Sequence, residues 1–427
     1  MVKQPDPARV EGAIAALGTV RRQWLRREGV TAVDVGLKIS NGEITDTVAL
    51  RVHVAHKRPV AELAASEVLN DADHPRDVEG YPVDVIEASY GLSSGPIVLE
   101  DVGVAEAVDR RTQIRPILGG ISVGNPRITA GTLGAVVFHR TTCQAMILSN
   151  FHVLAGALSA TAGEEIHQPG RLDGGMAGDR VATLSRFRID SGMDAAVATI
   201  DPGVTFDREL LGVGTITGTT TPTLGMEVVK SGRTTAITRG IIDGVSLTVS
   251  IDYGRDVGVV TLTDQIHLVP RPPWPAVDAE VSMGGDSGSI WLEEATMRAI
   301  GLHFAGETDP TPSAENAICT PIERVTTEFD ISFLPVICRP RPPLDDFCRR
   351  FPRICELIGV PPLIPFPLPA PGPTPIQTPG PVPLSHAMPA PRSSTPQVSS
   401  NGGPWATWDD QARGELAQLI AELARNG

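Results

Sequence analysis

Between about Gly119 and Phe333 the chain breaks into short apolar runs separated by glycine and polar turn residues, and no other feature restricts its fold as much. Such runs stand at Gly134–His139, Ala145–Leu148, Asp194–Ile200, Glu227–Lys230, Gly240–Ser250 and Val257–Leu262. Recurrent short strands with turn signals between them predict a mainly β sandwich or barrel. The 43 glycines and 38 prolines agree with many turns rather than long helical bundles. A length of 427 residues exceeds one ordinary core, so further folded units are expected on either side.

The flanks differ in kind. Residues 1–95 read as a small α+β leader unit. Its helix spans about Ala8 to Glu28, with an apolar stripe of Val10, Ile14, Leu17, Trp24 and Leu25, arginines in the last turns and Gly29 as terminator. Strands are expected at Val30–Ile39 and Thr47–His56 around an Asn41-Gly42 turn, then a short helix near Val60–Leu69 and a strand at Pro82–Glu87. Its histidines, His53, His56 and His74, resemble no metal site, because alternation sets His53 and His56 on opposite faces. Residues 96–118 are a connector and 119–335 the β domain. Residues 336–403 form a linker, whose rows from 361 to 400 hold 14 of the 38 prolines, a density that excludes helix and central strand. Residues 404–427 form an amphipathic helix with Leu416, Leu419, Ile420 and Leu423 on one stripe. That stripe, or the leader unit, would engage a partner protein if nothing in the chain covers it.

A net charge of −14 argues against nucleic acid or a membrane surface as partner, since both need basic surface. The start of the chain carries no basic-then-apolar signal pattern, and no apolar stretch reaches 18 residues, so a cytoplasmic protein is expected. Five cysteines, Cys143, Cys319, Cys338, Cys348 and Cys355, suit reduced thiols better than a disulfide framework, and their spacing matches no zinc pattern. No metal or organic cofactor is called for.

Three separated segments carry the chemistry. Ile147-Leu148-Ser149-Asn150-Phe151-His152 is an apolar strand that delivers His152 at its polar end. Asp194-Ala195-Ala196-Val197 opens a strand with a carboxylate, placed to accept from an imidazole N–H and fix its tautomer. Gly284-Gly285-Asp286-Ser287-Gly288 sets a serine among glycines, where missing side chains let backbone N–H groups converge. A serine hydroxyl is a poor nucleophile without a base, and acyl transfer builds negative charge that preorganised donors stabilise. Ser287 is therefore the candidate nucleophile, His152 the base and Asp194 its orienting acid, with Gly285 N–H and Ser287 N–H as the oxyanion hole. Each segment alone has an ordinary reading as turn, cap or loop. The argument lies in their coincidence.

At these segments the chain resembles the chymotrypsin superfamily, which has the same His, Asp, Ser order and a Gly-Asp-Ser-Gly nucleophile block. Ser149-Asn150-Phe151-His152-Val153 is similar to a block of HtrA-type proteases, and Lys230-Ser231-Gly232-Arg233-Thr234-Thr235 to a block of secreted bacterial relatives such as alpha-lytic protease. The resemblance covers roughly Gly119 to Phe333. It implies a two-barrel fold, an ion pair of Arg233 with Asp286 shaping the oxyanion loop, and a substrate-pairing strand at Phe304-Ala305-Gly306. It also implies departures. Val229 and Arg239 stand where secreted relatives keep a cysteine pair, which fits a reduced setting. Phe304 stands where relatives often place a serine that touches the catalytic acid. Val281 replaces the acid that trypsin-type members keep for basic substrates, and Glu307 at the strand end would bear on charge preference.

The expected activity is peptide-bond hydrolysis on a protein or peptide substrate through an acyl-enzyme. The competing expectation keeps the fold as a binding or regulatory module. An α/β-hydrolase is excluded by Ser289, where its elbow needs glycine, and by the order of the three residues.

Overall fold

The computed structural model describes residues 3–40, 43–63, 76–92, 108–271, 280–307, 315–336, 351, 353–354 and 414–418. Residues Met1–Cys338 make one compact unit and Arg339–Gly427 a second. Of the second unit, residues 414–418 are helical, within the helix expected at 404–427, and Ile354 N–H donates to Glu415 Oε2 at 3.2 Å. The rest of the expected linker and helix lies outside the described residues.

The first unit is mainly β, the class expected. Its helix, Pro7–Trp24, starts where Asp6 accepts from Ala8 N–H at 3.0 Å and proline occupies the first turn, and it buries Ala13, Ala16, Leu17 and Trp24. It ends four residues earlier than expected. That face covers a sheet in which Val30–Ser40 pairs antiparallel with Glu43–Val54, and Glu43–Val54 pairs parallel with Tyr81–Glu87. The expected Asn41-Gly42 turn and most of the Val60–Leu69 helix lie outside the described residues; Val60–Glu62 is a single 3₁₀ turn.

Strands Glu227–Gly232, Ile290–Glu293, Arg298–Glu307, Ala317–Pro321, Val259–Pro270 and Ala236–Asp252 follow one another in a ring, and the last pairs back with the first. These six strands close into a barrel, although Ile290–Glu293 is shorter than Arg298–Glu307 and leaves the end of that strand uncovered on its side. A six-stranded sheet stands beside it, in the order Glu165–His167, Arg180–Ile189, Asp194–Ile200, Ala145–Ser149, Ala135–His139 and Ile331–Ser332. Alternation along its strands explains their apolar composition. Val136, Ala196 and Ala198 face that sheet's own core, with Phe151 and Ile166. Ala135, Val137, Ala195 and Val197 face outward into a second cluster with Val229, Ile290, Leu292 and Leu302 of the barrel. Both faces are buried, so the runs lack polar alternation.

Two expected strands, Gly240–Ser250 and Val257–Leu262, are parts of one long hairpin, Ala236–Asp252 with Val259–Pro270. The hairpin extends because Val30–Ser40 of the leader pairs with it, Val33 opposite Thr248 and Val35 opposite Val245. The leader sheet therefore continues the barrel sheet. Beneath this seam Arg51 bridges Asp34 and Asp243, the latter at 2.5 Å, while His53 and His267 each meet one of these carboxylates. All five side chains are buried. A Cβ on Gly36 would lie 2.2 Å from the Arg51 guanidinium, so glycine makes its room. His53 is buried and His56 exposed, as the alternation predicted.

Cys319 is a buried free thiol, but Cys143 is disulfide-bonded, which corrects the expectation of reduced thiols throughout. It sits in the turn between Ala135–His139 and Ala145–Ser149, and cysteine spacing alone does not show which thiols the fold brings together.

Candidate active site

Strand pairing brings the imidazole and the carboxylate together. Ala145–Ser149 lies antiparallel to Asp194–Ile200, Ser149 opposite Ala196, so the end of one strand abuts the start of the other. One helical turn, Phe151–Leu154, then directs His152 inward. His152 Nδ1 contacts Asp194 Oδ2, and the His152 backbone N–H reaches Asp194 Oδ1 at 3.4 Å. Asn150 braces the junction, its Nδ2 donating to the Asp194 carbonyl at 2.8 Å. Asp194 is fully buried and His152 only 9 % exposed.

The Ser287 loop closes against the same strand end. Gly288 has a φ of +97°, and a Cβ there would lie 2.1 Å from Ser149 Oγ and 2.3 Å from the Thr132 carbonyl. Thr132 N–H donates to Ser287 O at 2.8 Å, and a Cβ on the neighbouring Gly131 would meet both Val153 and Ser287 O. Ser287 and His152 thus share one wall. The Ser287 hydroxyl donates to Phe304 O at 3.3 Å, and His152 Nε2 is buried with no hydrogen-bond partner among the described residues.

The two candidate oxyanion amides are aimed by their own peptide planes. Thr234 Oγ1 donates to Gly284 O at 2.8 Å, which turns the Gly285 N–H of that peptide the opposite way. Ser289 N–H and Oγ donate to Asp286 O at 3.0 and 2.5 Å, which does the same for Ser287 N–H. Among the described residues neither amide donates to any protein acceptor. Gly285, at φ +99°, has Arg233 and Thr234 packed where a side chain would go.

Asp286 is not paired with Arg233, which corrects the expected ion pair. Arg233 Nε donates to Asp173 at 2.7 Å, whereas Lys230 Nζ meets Asp286 at 3.0 Å. Thr235 Oγ1 (2.6 Å), Thr234 N–H (2.9 Å), Thr235 N–H (3.1 Å) and Met283 N–H (3.1 Å) complete the carboxylate's shell. Burial opposes its charge, but Lys230 and these donors hold the carboxyl down at about 2. A Cβ on Gly232 would strike Asp286 Oδ1, so Lys230 and Gly232 form one cradle. His303, behind this loop, is pushed down to about 3 by burial and the Lys230 charge, and so is neutral at ordinary pH.

The strand expected to pair with substrate is partnered on both sides within the chain. Arg298–Glu307 pairs along one side with Ala317–Pro321. On the other side, beyond the reach of Ile290–Glu293, Ala305 pairs with Leu92, Gly306 with Gly91 and Glu307 with Tyr90. The edge nearest Ser287 thus holds the chain's own residues 90–92. At its end, Glu280, Glu307 and Glu315 bring their carboxylates within 4.8 Å of one another. Burial, then the charges of Glu280 and Glu307, push Glu315 up to about 8.

Sequence reasoning quoted Lys230 and Thr234 in one block with Arg233 without giving them a role, gave Ser289 no role in this loop, and missed the 90–92 strand. The Thr234-Thr235 pair beside Arg233 was a visible signal for loop support; the strand left none.

No protein-family model and no curated relative matches the sequence. Among solved structures the chain is similar to Thermobifida fusca protease A (22 % identity, TM-score 0.36, covering 51 % of this chain and 97 % of that one). It is also similar to a Cellulomonas bogoriensis chymotrypsin (17 %, 0.36, 52 % and 99 %) and to an alpha-lytic protease homolog (17 %, 0.38, 51 % and 99 %).

Proposed function

We propose that the chain is a serine endopeptidase acting on extended protein or peptide substrates. The observation that carries this reading is the meeting, at one wall, of the His152–Asp194 pair and a serine whose two neighbouring amides are turned free of acceptors. Rotation of Ser287 about its side-chain bond exchanges the Phe304 carbonyl for His152 Nε2, a move between staggered wells. His152 then takes the hydroxyl proton as Oγ attacks the carbonyl, and Asp194 holds the imidazolium. Gly285 and Ser287 N–H receive the oxyanion. Collapse of the tetrahedral intermediate returns the proton to the leaving amine, and water repeats the sequence on the acyl-enzyme.

A second reading, a protease-fold module that binds without turnover, is favoured by the Ser287 hydroxyl facing Phe304 O and by the strand edge occupied by residues 90–92. No described helix is long and apolar enough to cross a membrane.

A fluorophosphonate probe separates the readings. Peptidase chemistry predicts a stoichiometric adduct on Ser287, lost in Ser287→Ala and slowed at least about a thousandfold in His152→Ala. A folded protein that forms no adduct even at high probe concentration supports the binding module.

A further inference from the structure

Asp194 is served unevenly for a fully buried carboxylate. Its Oδ2 meets His152 Nδ1, while among the described residues Oδ1 has only a long contact, 3.4 Å, from the His152 amide within ordinary hydrogen-bond geometry. Asn150 spends its side-chain donor on the Asp194 carbonyl instead. A buried carboxylate with an open lone pair is costly, so a further donor is to be looked for close by.

Tyr253 stands there. It follows the Ala236–Asp252 strand at the tip of the long hairpin, where its N–H donates to Gly258 O at 3.0 Å and Gly254 N–H to Asp252 Oδ1 at 2.8 Å. Its ring packs edge-on to the His152 ring, centroids 6.1 Å apart. Its hydroxyl is buried and, among the described residues, has no acceptor within ordinary hydrogen-bond geometry, and Asp194 is the group that acts on it, by charge and as the acceptor it faces. Burial, then that carboxylate, raise the phenol well above its usual range, so it remains a donor. The same hairpin also grips the turn leading into Asp194: Thr263 N–H donates to Ser191 O at 2.8 Å and Gln265 Nε2 to Gly192 O at 3.1 Å.

We infer that Tyr253 is a positioning residue for the His152–Asp194 pair, its hydroxyl donating to the Asp194 carboxylate. The inference rests on the peptidase reading for its kinetic consequence but not for the contact itself. A hydrogen bond to a charged acceptor holds the carboxylate in the plane that presents it to Nδ1 and fixes the imidazole tautomer. Removing the donor leaves the ring packing intact and concentrates negative charge on the face toward His152. Asp194 meets the imidazole directly, Tyr253 packs on its edge and His303, which also senses its charge, stays neutral above about pH 3, so His303 is not the source of a change at the acid limb.

The test compares Tyr253→Phe with the unsubstituted full chain in two measurements. The first is the rate of fluorophosphonate labelling at Ser287 from pH 5 to 9. The expected result is about tenfold slower labelling with the acid limb moved to higher pH. The same rate and limb in both proteins would overturn the inference. The second is the NMR resonance of the His152 Nδ1 proton in the Ser287→Ala background, with and without Tyr253→Phe. A displaced resonance is expected, and an unmoved one overturns the contact whether or not the chain hydrolyses anything. A displaced resonance in a protein that never labels would sink the peptidase reading and leave the positioning contact standing.

Discussion

Two buried carboxylates in this molecule are treated in opposite ways. Asp286 collects donors from Lys230, two threonines and Met283. Among the described residues Asp194 has one close partner, His152, a long backbone contact and the inferred Tyr253 hydroxyl, fewer donors than Asp286. The seam between leader and barrel follows the first pattern, with Arg51 shared by Asp34 and Asp243 and a histidine on each acid. Saturated charges fix a geometry, because any movement leaves a donor or acceptor stranded in low dielectric. Sparse ones can change partners, as a base and its orienting acid must when a proton moves. The difference separates groups that hold the site from groups suited to act in it.

The seam gives the largest expected effect. Arg51→Ala strands two buried carboxylates, and the loss should be about 3–5 kcal/mol in urea unfolding. A loss within about 1 kcal/mol would mean that the seam is not saturated in solution and would erase the contrast. Asp286 comes next. Its folded value, about 2, lies below the ordinary 3.8, so its contribution is present above about pH 4 and disappears as pH falls through 2. The advantage of the unsubstituted chain over Asp286→Asn should shrink by about 2 kcal/mol between pH 5 and pH 2. An advantage independent of pH would show that the cradle does not depend on the charge.

Glu315 tests the opposite sign. Its value is raised to about 8 from 4.5, so the folded chain holds that proton more tightly than the unfolded one. Stability from this group is complete below about pH 4.5 and is lost as pH rises through 8. Glu315→Gln keeps the neutral form at every pH. Its urea midpoint should match the unsubstituted chain at pH 5 and exceed it at pH 9; equal midpoints at both would show that the three carboxylates do not burden the fold.

What the residues made legible follows the same division. His152, Asp194 and Ser287 stand in segments where apolar runs end abruptly beside polar or glycine residues, and that punctuation survives in one dimension. The β class was legible because Ala135–His139 and Asp194–Ile200 bury both faces. Which side chain meets Asp286 was not, since Lys230 and Arg233 are three residues apart and only the direction of the strand end decides which points under the loop. Tyr253 was hidden for a related reason. The runs at Gly240–Ser250 and Val257–Leu262 predict two strands but not that they form one arm long enough to return to the histidine. Edge pairing is the least legible, since the backbone groups of Val33 or Gly91 carry no mark of the strand they will meet.

That last point yields the smallest prediction and the one that bears most on the second reading. Residues 90–92 pair with the barrel strand at Ala305–Glu307, the edge an extended substrate would need, and three residues of ladder are a weak hold. Gly91→Pro removes a backbone donor and disfavours the pairing while leaving the Ser287 loop untouched, although the adjacent Tyr90 also meets His53 of the seam. Hydrolysis of a long peptide should rise about threefold, since displacing so short a strand costs about one hydrogen bond's net worth. Labelling by a small fluorophosphonate, which needs no strand edge, should not change. A rise in both rates would point to a general loosening of the site, and a rise in neither would mean that residues 90–92 lie beside the substrate path rather than in it.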